Sequence, residues 1–181
     1  MAKTVQVVGI PGSGKSYLLS KYFQIYQPKE FDYFEFGQRL RALRNEDKER
    51  HDLDFYVRKL IQNLKDCKKS KVISSHLVHR EKDNYHWDFT YDRITDSSAY
   101  IHILTNPEQL YKQRMKDNSN NTKQRTIDSI DTLAEHQELS LEKTIEIASE
   151  LQANVLILKN DPKQKYLNLM IMDEYFREHL T

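Results

Sequence analysis

The chain has 181 residues, with 28 Lys and Arg against 27 Asp and Glu, and its formal net charge of +1 gives no electrostatic argument for nucleic acid or a membrane surface as a partner. The single cysteine, Cys67, excludes an internal disulfide and fits a reducing compartment, and no apolar run approaches the roughly 20 residues of a membrane-spanning helix. We therefore expect a cytoplasmic protein with one domain over residues 1–181.

The first half of the chain shows three short strand patterns with helices between them. Val5 to Val8 is a β-branched run, and from Ser16 the apolar residues recur at helical spacing until Pro28. Residues 38–68 are mostly helical, in two pieces that meet near residues 49–52. The other two strand patterns are Phe31 to Phe36, which Gly37 closes, and Lys71 to Ser74.

The second half begins with residues 76–96, which lack a clear period and are interpreted as a loop or lid. Ala99 to Leu104 is a fourth strand, Pro107 stands early in a helix, Val155 to Leu158 is a fifth strand, and residues 167–176 form a final helix. Before the fifth strand an apolar stripe predicts a long helical region; it consists of Ile127, Ile130, Ala134, Leu141, Ile145, Ala148 and Leu151. The alternation predicts an α/β fold with a five-stranded parallel sheet and helices on both faces.

The segment that joins the first strand to the first helix fits the pattern G-x-x-x-x-G-K-[ST] in full. Glycines allow main-chain N–H groups to turn inward around phosphate oxygens, and the following helix adds the positive end of its dipole. We expect Lys15 to reach the β and γ phosphates of ATP and the Ser16 hydroxyl to ligate Mg²⁺. The residues predicted to bind the nucleotide are Gly9, Ile10, Pro11, Gly12, Ser13, Gly14, Lys15, Ser16 and Tyr17.

Three segments carry a resemblance to a known family. The loop with Pro11 resembles that of nucleoside monophosphate kinases. This resemblance implies a P-loop NTPase-type fold with a small lid. The segment Ile73 to His76 stands where archaeal-type adenylate kinases have Asp-Thr-His. Glu135-His136-Gln137-Glu138-Leu139 is similar to a helix of that family, which also has a Pro-Glu helix start and an arginine-containing break.

This resemblance covers most of the chain except residues 38–70 and 80–98. It implies transfer of the γ-phosphoryl group of ATP to AMP or a related nucleoside monophosphate, with Mg²⁺, in a homo-oligomer. Ser74 stands where the family has an aspartate that helps to hold magnesium through water. We therefore expect weaker metal binding or turnover, or a different acceptor.

Phosphoryl transfer depends on positioning and positive charge, so arginines near the strand ends are candidates. Arg41 follows Gly37 at a spacing similar to that in bacterial adenylate kinases, and both are assigned to acceptor binding within residues 37–70. Arg114 and Arg125 flank a polar break and are hypothesised to close over the transferring phosphate as a lid over residues 114–126. An ordinary solvated surface explains each of these arginines equally simply.

Two further candidates rest on their position after a strand. His76 ends the third strand and is assigned to the acceptor or a phosphate, although a lone histidine is as often structural. Asn160 follows the fifth strand, where similar kinases pass their backbone beside the adenine ring; a plain turn explains the same composition.

Three functions remain open at this stage. The first is the nucleotide kinase, and the second is a kinase with the same donor site for another small acceptor. The third is an NTP-binding regulatory module with little catalysis, which Ser74 favours because a serine carries no charge. A nucleic-acid end kinase is the weakest option, since the net charge supplies no basic footprint.

Overall fold

The fold is taken from a computed structural model, which describes residues 2–47, 49, 51–81, 84–87, 97–120 and 126–181. None of the helices in these ranges is long and apolar enough to cross a membrane. The strands in these ranges are β1 (Thr4–Val8), β2 (Phe31–Glu35), β3 (Ser70–Ser74), β4 (Val78–Glu81), β5 (Asn84–Trp87), β6 (Ser97–Leu104) and β7 (Asn154–Lys159).

Five of the described strands form one parallel sheet in the order β2-β3-β1-β6-β7. The central strand β1 is buried along its whole length, as expected for a strand with helices on both faces. The carboxyl ends of β2, β3, β1, β6 and β7 therefore meet at one edge of the sheet, where ligands bind in this architecture.

Three helices of the described chain begin at a side-chain cap, and a fourth begins at a phosphate-loop glycine. Asp52, Asn106 and Ser129 accept main-chain N–H groups at the starts of their helices. The first helix follows Gly14 and has no side-chain cap, which leaves its first N–H groups available to a ligand. The helices are α1 (Lys15–Tyr26), α2 (Phe36–Glu46), α3 (Leu53–Lys65), α4 (Pro107–Ser119), α5 (Ile130–Glu150) and α6 (Lys165–Leu180).

Two hydrophobic clusters lie on opposite sides of the sheet. One packs α1 and α6 against the sheet through residues that include Leu18, Tyr22 and Phe176. The other packs α3 and α5 against it through residues that include Leu60 and Ile147. The predicted α/β fold with a five-stranded parallel sheet is thus confirmed, with strand bounds within two residues of those expected.

Residues 76–96 were interpreted as a loop or lid, and a loop is wrong for part of this segment, which forms two strands. β4 and β5 pair as an antiparallel hairpin there, with His79 opposite His86 and Arg80 opposite Tyr85. Each strand has only four residues and mixes polar, charged and apolar side chains, so no strand period is visible over longer windows. Residues 82–83 and 88–96 lie outside the described ranges.

The apolar stripe predicted for α5 was also wrong at several positions. Ile127, Ile130 and Ile145 are exposed, between 41% and 49% of their full surface. The face of α5 that packs inward carries several polar side chains, most of which have hydrogen-bond partners, so apolar periodicity does not mark it. Its buried residues are Leu133, His136, Gln137, Ser140, Thr144, Ile147 and Ala148.

Candidate functional site: a phosphate-binding loop

The loop between β1 and α1 has the backbone that its glycines predict. Gly9, Gly12 and Gly14 have φ angles of 142°, 94° and 92°, a region that other residues rarely adopt. A Cβ atom on Gly9 would stand 2.7 Å from the carbonyl oxygen of Ile103. A Cβ atom on Gly14 would collide with the side-chain amide of Asn160. Two of the three glycines are therefore required both by conformation and by a neighbouring group.

The ammonium group of Lys15 lies inside this loop and is only 4% exposed. Its Nζ atom donates to the carbonyl oxygens of Gly9 at 2.7 Å and Ile10 at 3.0 Å. The His76 Nδ1 atom lies 2.7 Å from the same Gly9 oxygen and 3.1 Å from Lys15 Nζ. The shortest contacts are satisfied if His76 Nδ1 carries the proton, because Gly9 then accepts from both side chains. His76 thus lies against the phosphate loop, beside the lysine.

The hydroxyl group of Ser16 donates to the Oε1 atom of Glu35 at 2.8 Å. Glu35 is the last residue of β2, and it is paired in register with Ser74 of β3. The carboxylate that the resemblance places on strand three is therefore absent at Ser74 but present on the neighbouring strand. Sequence reasoning missed Glu35, although its position at the end of a predicted strand, just before Gly37, was an available signal.

Ser16 and Glu35 together fit a magnesium site, because Mg²⁺ prefers oxygen ligands and keeps several waters and substrate phosphate oxygens. Among the described residues, no three His, Cys, Asp or Glu side chains form a metal-binding group. A P-loop site does not need such a group, since the protein supplies one hydroxyl and a carboxylate that acts directly or through water.

Arg114 is buried, at 3% exposure, and its guanidinium is held on several sides. It donates to Asp128 Oδ2 at 2.6 Å, to the Thr126 carbonyl at 3.0 Å and to the Pro11 carbonyl at 2.9 Å. Arg80 of β4 donates to the other oxygen of Asp128. Arg114 therefore joins α4 to the phosphate loop; the sequence suggested that it closes over the transferring phosphate as part of a lid.

A cavity of about 200 Å³ lies between the phosphate loop and the β4–β5 hairpin. His136 contributes a buried ring whose Nε2 atom lies 3.1 Å from the Val78 carbonyl, so that Nε2 carries the proton. Its Nδ1 atom has no hydrogen-bond partner among the described residues, and burial lowers the pKa of this histidine, which keeps Nδ1 an acceptor. The cavity is lined by Pro11, His79, Arg80, Arg114, Thr126, Asp128 and His136.

The other predicted site residues are placed as follows. Asn160 contacts the loop, donating from Nδ2 to the Ser13 carbonyl at 2.9 Å. Tyr17 is 52% exposed on α1, and Lys165 of α6 lies 5.2 Å from its ring. Gly37 and Arg41 are both exposed on α2, and a Cβ atom on Gly37 would have no neighbour within 4 Å. Arg125 lies outside the described residues.

The parallel sheet, the glycine-rich turn after β1 and the buried lysine define a P-loop protein of the α/β class. Within that class, the chain belongs to the AAA domain family, whose model matches residues 8–134. A search of the curated proteins found no match.

Three solved kinase structures show the same fold over nearly the whole chain. A shikimate kinase from Acinetobacter baumannii, in complex with shikimate, is 11% identical with a TM-score of 0.59, over 100% of this chain and 97% of that one. A sugar kinase from Janibacter sp. HTCC2649 is 14% identical with a TM-score of 0.54, over 98% and 95%. A gluconokinase from Sinorhizobium meliloti 1021 is 13% identical with a TM-score of 0.51, over 98% of each. At these identities the similarity establishes the fold, which is that of P-loop kinases.

Proposed function

We propose that this protein is an ATP-dependent kinase that transfers a phosphoryl group to a small acceptor. The observation that carries the proposal is the grouping of Lys15, Ser16 and Glu35 at the phosphate loop, which through Pro11 also lines a cavity with two arginines in its walls. The first two supply the groups that hold a triphosphate, and the cavity supplies room for a second substrate. A phosphate-binding loop alone would explain nucleotide binding but would leave the adjoining cavity without a role.

The donor side of the site is formed by the loop and the first turn of α1. Main-chain N–H groups and the α1 dipole attract the phosphates, and Lys15 exchanges the carbonyls of Gly9 and Ile10 for phosphate oxygens. Magnesium, held at Ser16 and Glu35, would neutralise charge that develops on the β and γ phosphates. Asn160 and Tyr17 are proposed to lie beside the rest of the nucleotide.

The acceptor side is proposed to be the cavity that adjoins Pro11. Its volume of about 200 Å³ is below the range of about 300–1,000 Å³ for whole drug-sized ligands, so it fits the reactive end of an acceptor. Arg80 and His79 favour an anionic or polar group there, and the ring of His136 lines the same cavity. His76 contacts Lys15, and its ring lies 5.7 Å from that of His79, so it is proposed to contact the acceptor or a phosphate.

A nucleoside monophosphate such as AMP is the first candidate acceptor, since its phosphate suits a site with arginines and needs no general base. In this case the remainder of the nucleotide is held by Gly37, Arg41 and the α2–α3 region, and Arg125 belongs to a lid.

A small molecule that presents a hydroxyl group is the second candidate, and Glu35 favours it. A hydroxyl acceptor requires a group to take its proton, and Glu35 is a carboxylate next to the expected metal position. The similar structures include kinases named for shikimate, sugars and gluconate, which agrees with this class of acceptor.

The proposal is tested by following ADP formation from ATP with a panel of acceptors, with AMP, CMP and UMP in one set and shikimate, gluconate and hexoses in another. Phosphoryl transfer to any member that requires Lys15 supports the kinase. Replacement of His136 by Phe is expected to raise the KM for the acceptor more than the KM for ATP. Tight ATP binding without transfer to any member of an extended panel would contradict the proposal and favour the regulatory module.

A further inference from the structure

The carbonyl oxygen of Ser13, in the middle of the phosphate loop, accepts hydrogen bonds from two side chains. The hydroxyl of Thr105 donates to it at 2.8 Å and the Nδ2 atom of Asn160 donates at 2.9 Å. Thr105 follows β6, and Asn160 follows β7. Two donors from neighbouring strand ends therefore hold this carbonyl toward the β6–β7 side of the sheet.

The direction of that carbonyl also fixes the direction of the next N–H group. The C=O and N–H bonds of a trans peptide point in opposite directions, and the described residues contain no cis peptide. The Gly14 N–H is thus turned away from Thr105 and Asn160. In a glycine-rich phosphate loop, such main-chain N–H groups bind the α and β phosphates.

Thr105 is itself held at two points by one side chain. The Oε1 atom of Gln137 accepts the Thr105 N–H at 2.8 Å, and its Nε2 atom donates to the Thr105 carbonyl at 2.9 Å. Gln137 is 6% exposed and belongs to α5, which is not part of the loop. An amide placed so that both its oxygen and its nitrogen bind one residue restricts that residue in position and in rotation.

We infer that Gln137 is a positioning residue, which acts through Thr105 on the Ser13–Gly14 peptide and so directs the Gly14 N–H toward the β-phosphate of the bound nucleotide. This inference rests on the proposed function, because it presupposes that the loop binds a nucleotide. It differs from a stabilising role for Gln137, because it predicts an effect on nucleotide affinity that passes through Thr105.

The test measures the Kd for Mg-ADP by calorimetry, and Tm by calorimetric scanning, in a set of matched variants. Gln137→Met keeps the length of the side chain and removes both hydrogen bonds, while Thr105→Val removes the hydroxyl and Thr105→Ser keeps it. Thr144→Val is the control, since Thr144 lies buried on the same helix and its hydroxyl contacts His102 at 2.7 Å rather than Thr105. Each variant is measured at a temperature well below its own Tm.

We expect Gln137→Met and Thr105→Val each to weaken Mg-ADP binding by about threefold to tenfold, as for the loss of one hydrogen bond. The double variant is expected to bind Mg-ADP no more weakly than the single variant with the lower affinity. The reason is that both changes interrupt the same series of contacts, from Gln137 through Thr105 to the Ser13 carbonyl. Thr105→Ser and Thr144→Val are expected to bind Mg-ADP as the unchanged protein does, although Thr144→Val lowers Tm.

Two results would overturn the inference. The first is Gln137→Met with a lowered Tm and an unchanged Kd for Mg-ADP, which would make Gln137 purely structural. The second is a double variant whose loss of affinity equals the product of the two single losses, which would show that Gln137 does not act through Thr105. Neither result depends on phosphoryl transfer, whereas failure of the unchanged protein to bind Mg-ADP would refute the proposed function itself.

Discussion

The hydroxyl of Ser16 and the carboxylate of Glu35 are joined by a hydrogen bond of 2.8 Å across 19 residues of sequence. Ser16 belongs to the helix that follows β1, and Glu35 ends β2; these two strands are not neighbours, since β3 lies between them. Ser74 of β3, in register with Glu35, is small, and the longer glutamate side chain reaches the loop from one strand farther away. The site therefore keeps a carboxylate beside the expected magnesium ligand.

Replacement of Glu35 by Gln tests that role. The amide oxygen still accepts from Ser16, so the fold is expected to survive, but the negative charge is lost. We expect turnover with ATP to fall by about 10²-fold or more, in the range of a lost acid–base group, and the Mg²⁺ requirement to increase. Steady-state kinetics over a magnesium titration measure both. Glu138→Gln on the exposed side of α5 is the control, and equal kinetics for the two variants would remove Glu35 from the site.

Replacement of Lys15 by Met tests the contribution of Lys15 to phosphate binding at the loop. Hydrogen bonds to charged groups contribute about 1.5–3 kcal/mol, so we expect the affinity for Mg-ADP to fall by at least about tenfold. Isothermal titration provides the measurement. The control is Lys21→Met. Lys21 lies on the same helix and, among the described hydrogen bonds, contacts only the exposed Gln24, so this variant should bind Mg-ADP normally. Unaltered binding by Lys15→Met would show that the nucleotide lies elsewhere.

Replacement of Asp128 by Asn tests the buried ion pair that joins α4 to the loop. Arg114 is buried, and loss of one partner of a buried pair costs about 3–5 kcal/mol of stability. Urea unfolding is expected to show a loss of that size. The exposed pair of Asp54 and Arg58 on α3 provides the control, since Asp54→Asn should cost no more than about 1 kcal/mol. Comparable losses in the two variants would mean that Asp128 makes no special contribution.

His102 makes stability depend on pH. Burial, and to a smaller extent the positive charge of Lys15, lowers the pKa of His102 from 6.5 to about 4. The unfolded chain therefore binds a proton that the folded chain does not, and the stabilisation present above pH 6.5 is lost as the pH falls toward 4. Between these values this residue alone should lower the free energy of unfolding by about 1.4 kcal/mol for each unit by which the pH falls.

Denaturant titrations between pH 7 and 4.5 measure this dependence, with His102→Gln as the reference. The variant retains every other titrating group, so the difference between the two slopes isolates His102. The unchanged protein should lose stability more steeply than the variant on acidification. Parallel pH profiles would show that His102 does not titrate differently in the folded and unfolded states.

The five strands of the parallel sheet and the ends of most helices could be predicted from sequence because their signals are local. Val5 to Val8 is uniformly apolar, and Asn106 and Pro107 mark a helix start by themselves. The β4–β5 hairpin could not be found in this way, since His79, Arg80 and Tyr85 give no apolar alternation. The inner face of α5 was missed for a related reason: Gln137 and Thr144 are buried only because Thr105 and His102 satisfy them.

The sequence by itself determined where the phosphate loop lies, since eight consecutive residues with three glycines allow the backbone to turn its N–H groups inward. Only the tertiary structure decided what surrounds that loop: Glu35 beside Ser16, Arg114 bound to Pro11 and Asp128, and Gln137 behind Thr105. These relationships depend on the order in which parallel strands assemble, and on which polar groups find partners once water is excluded. Such pairings involve residues far apart in the chain, and a local pattern carries no information about them.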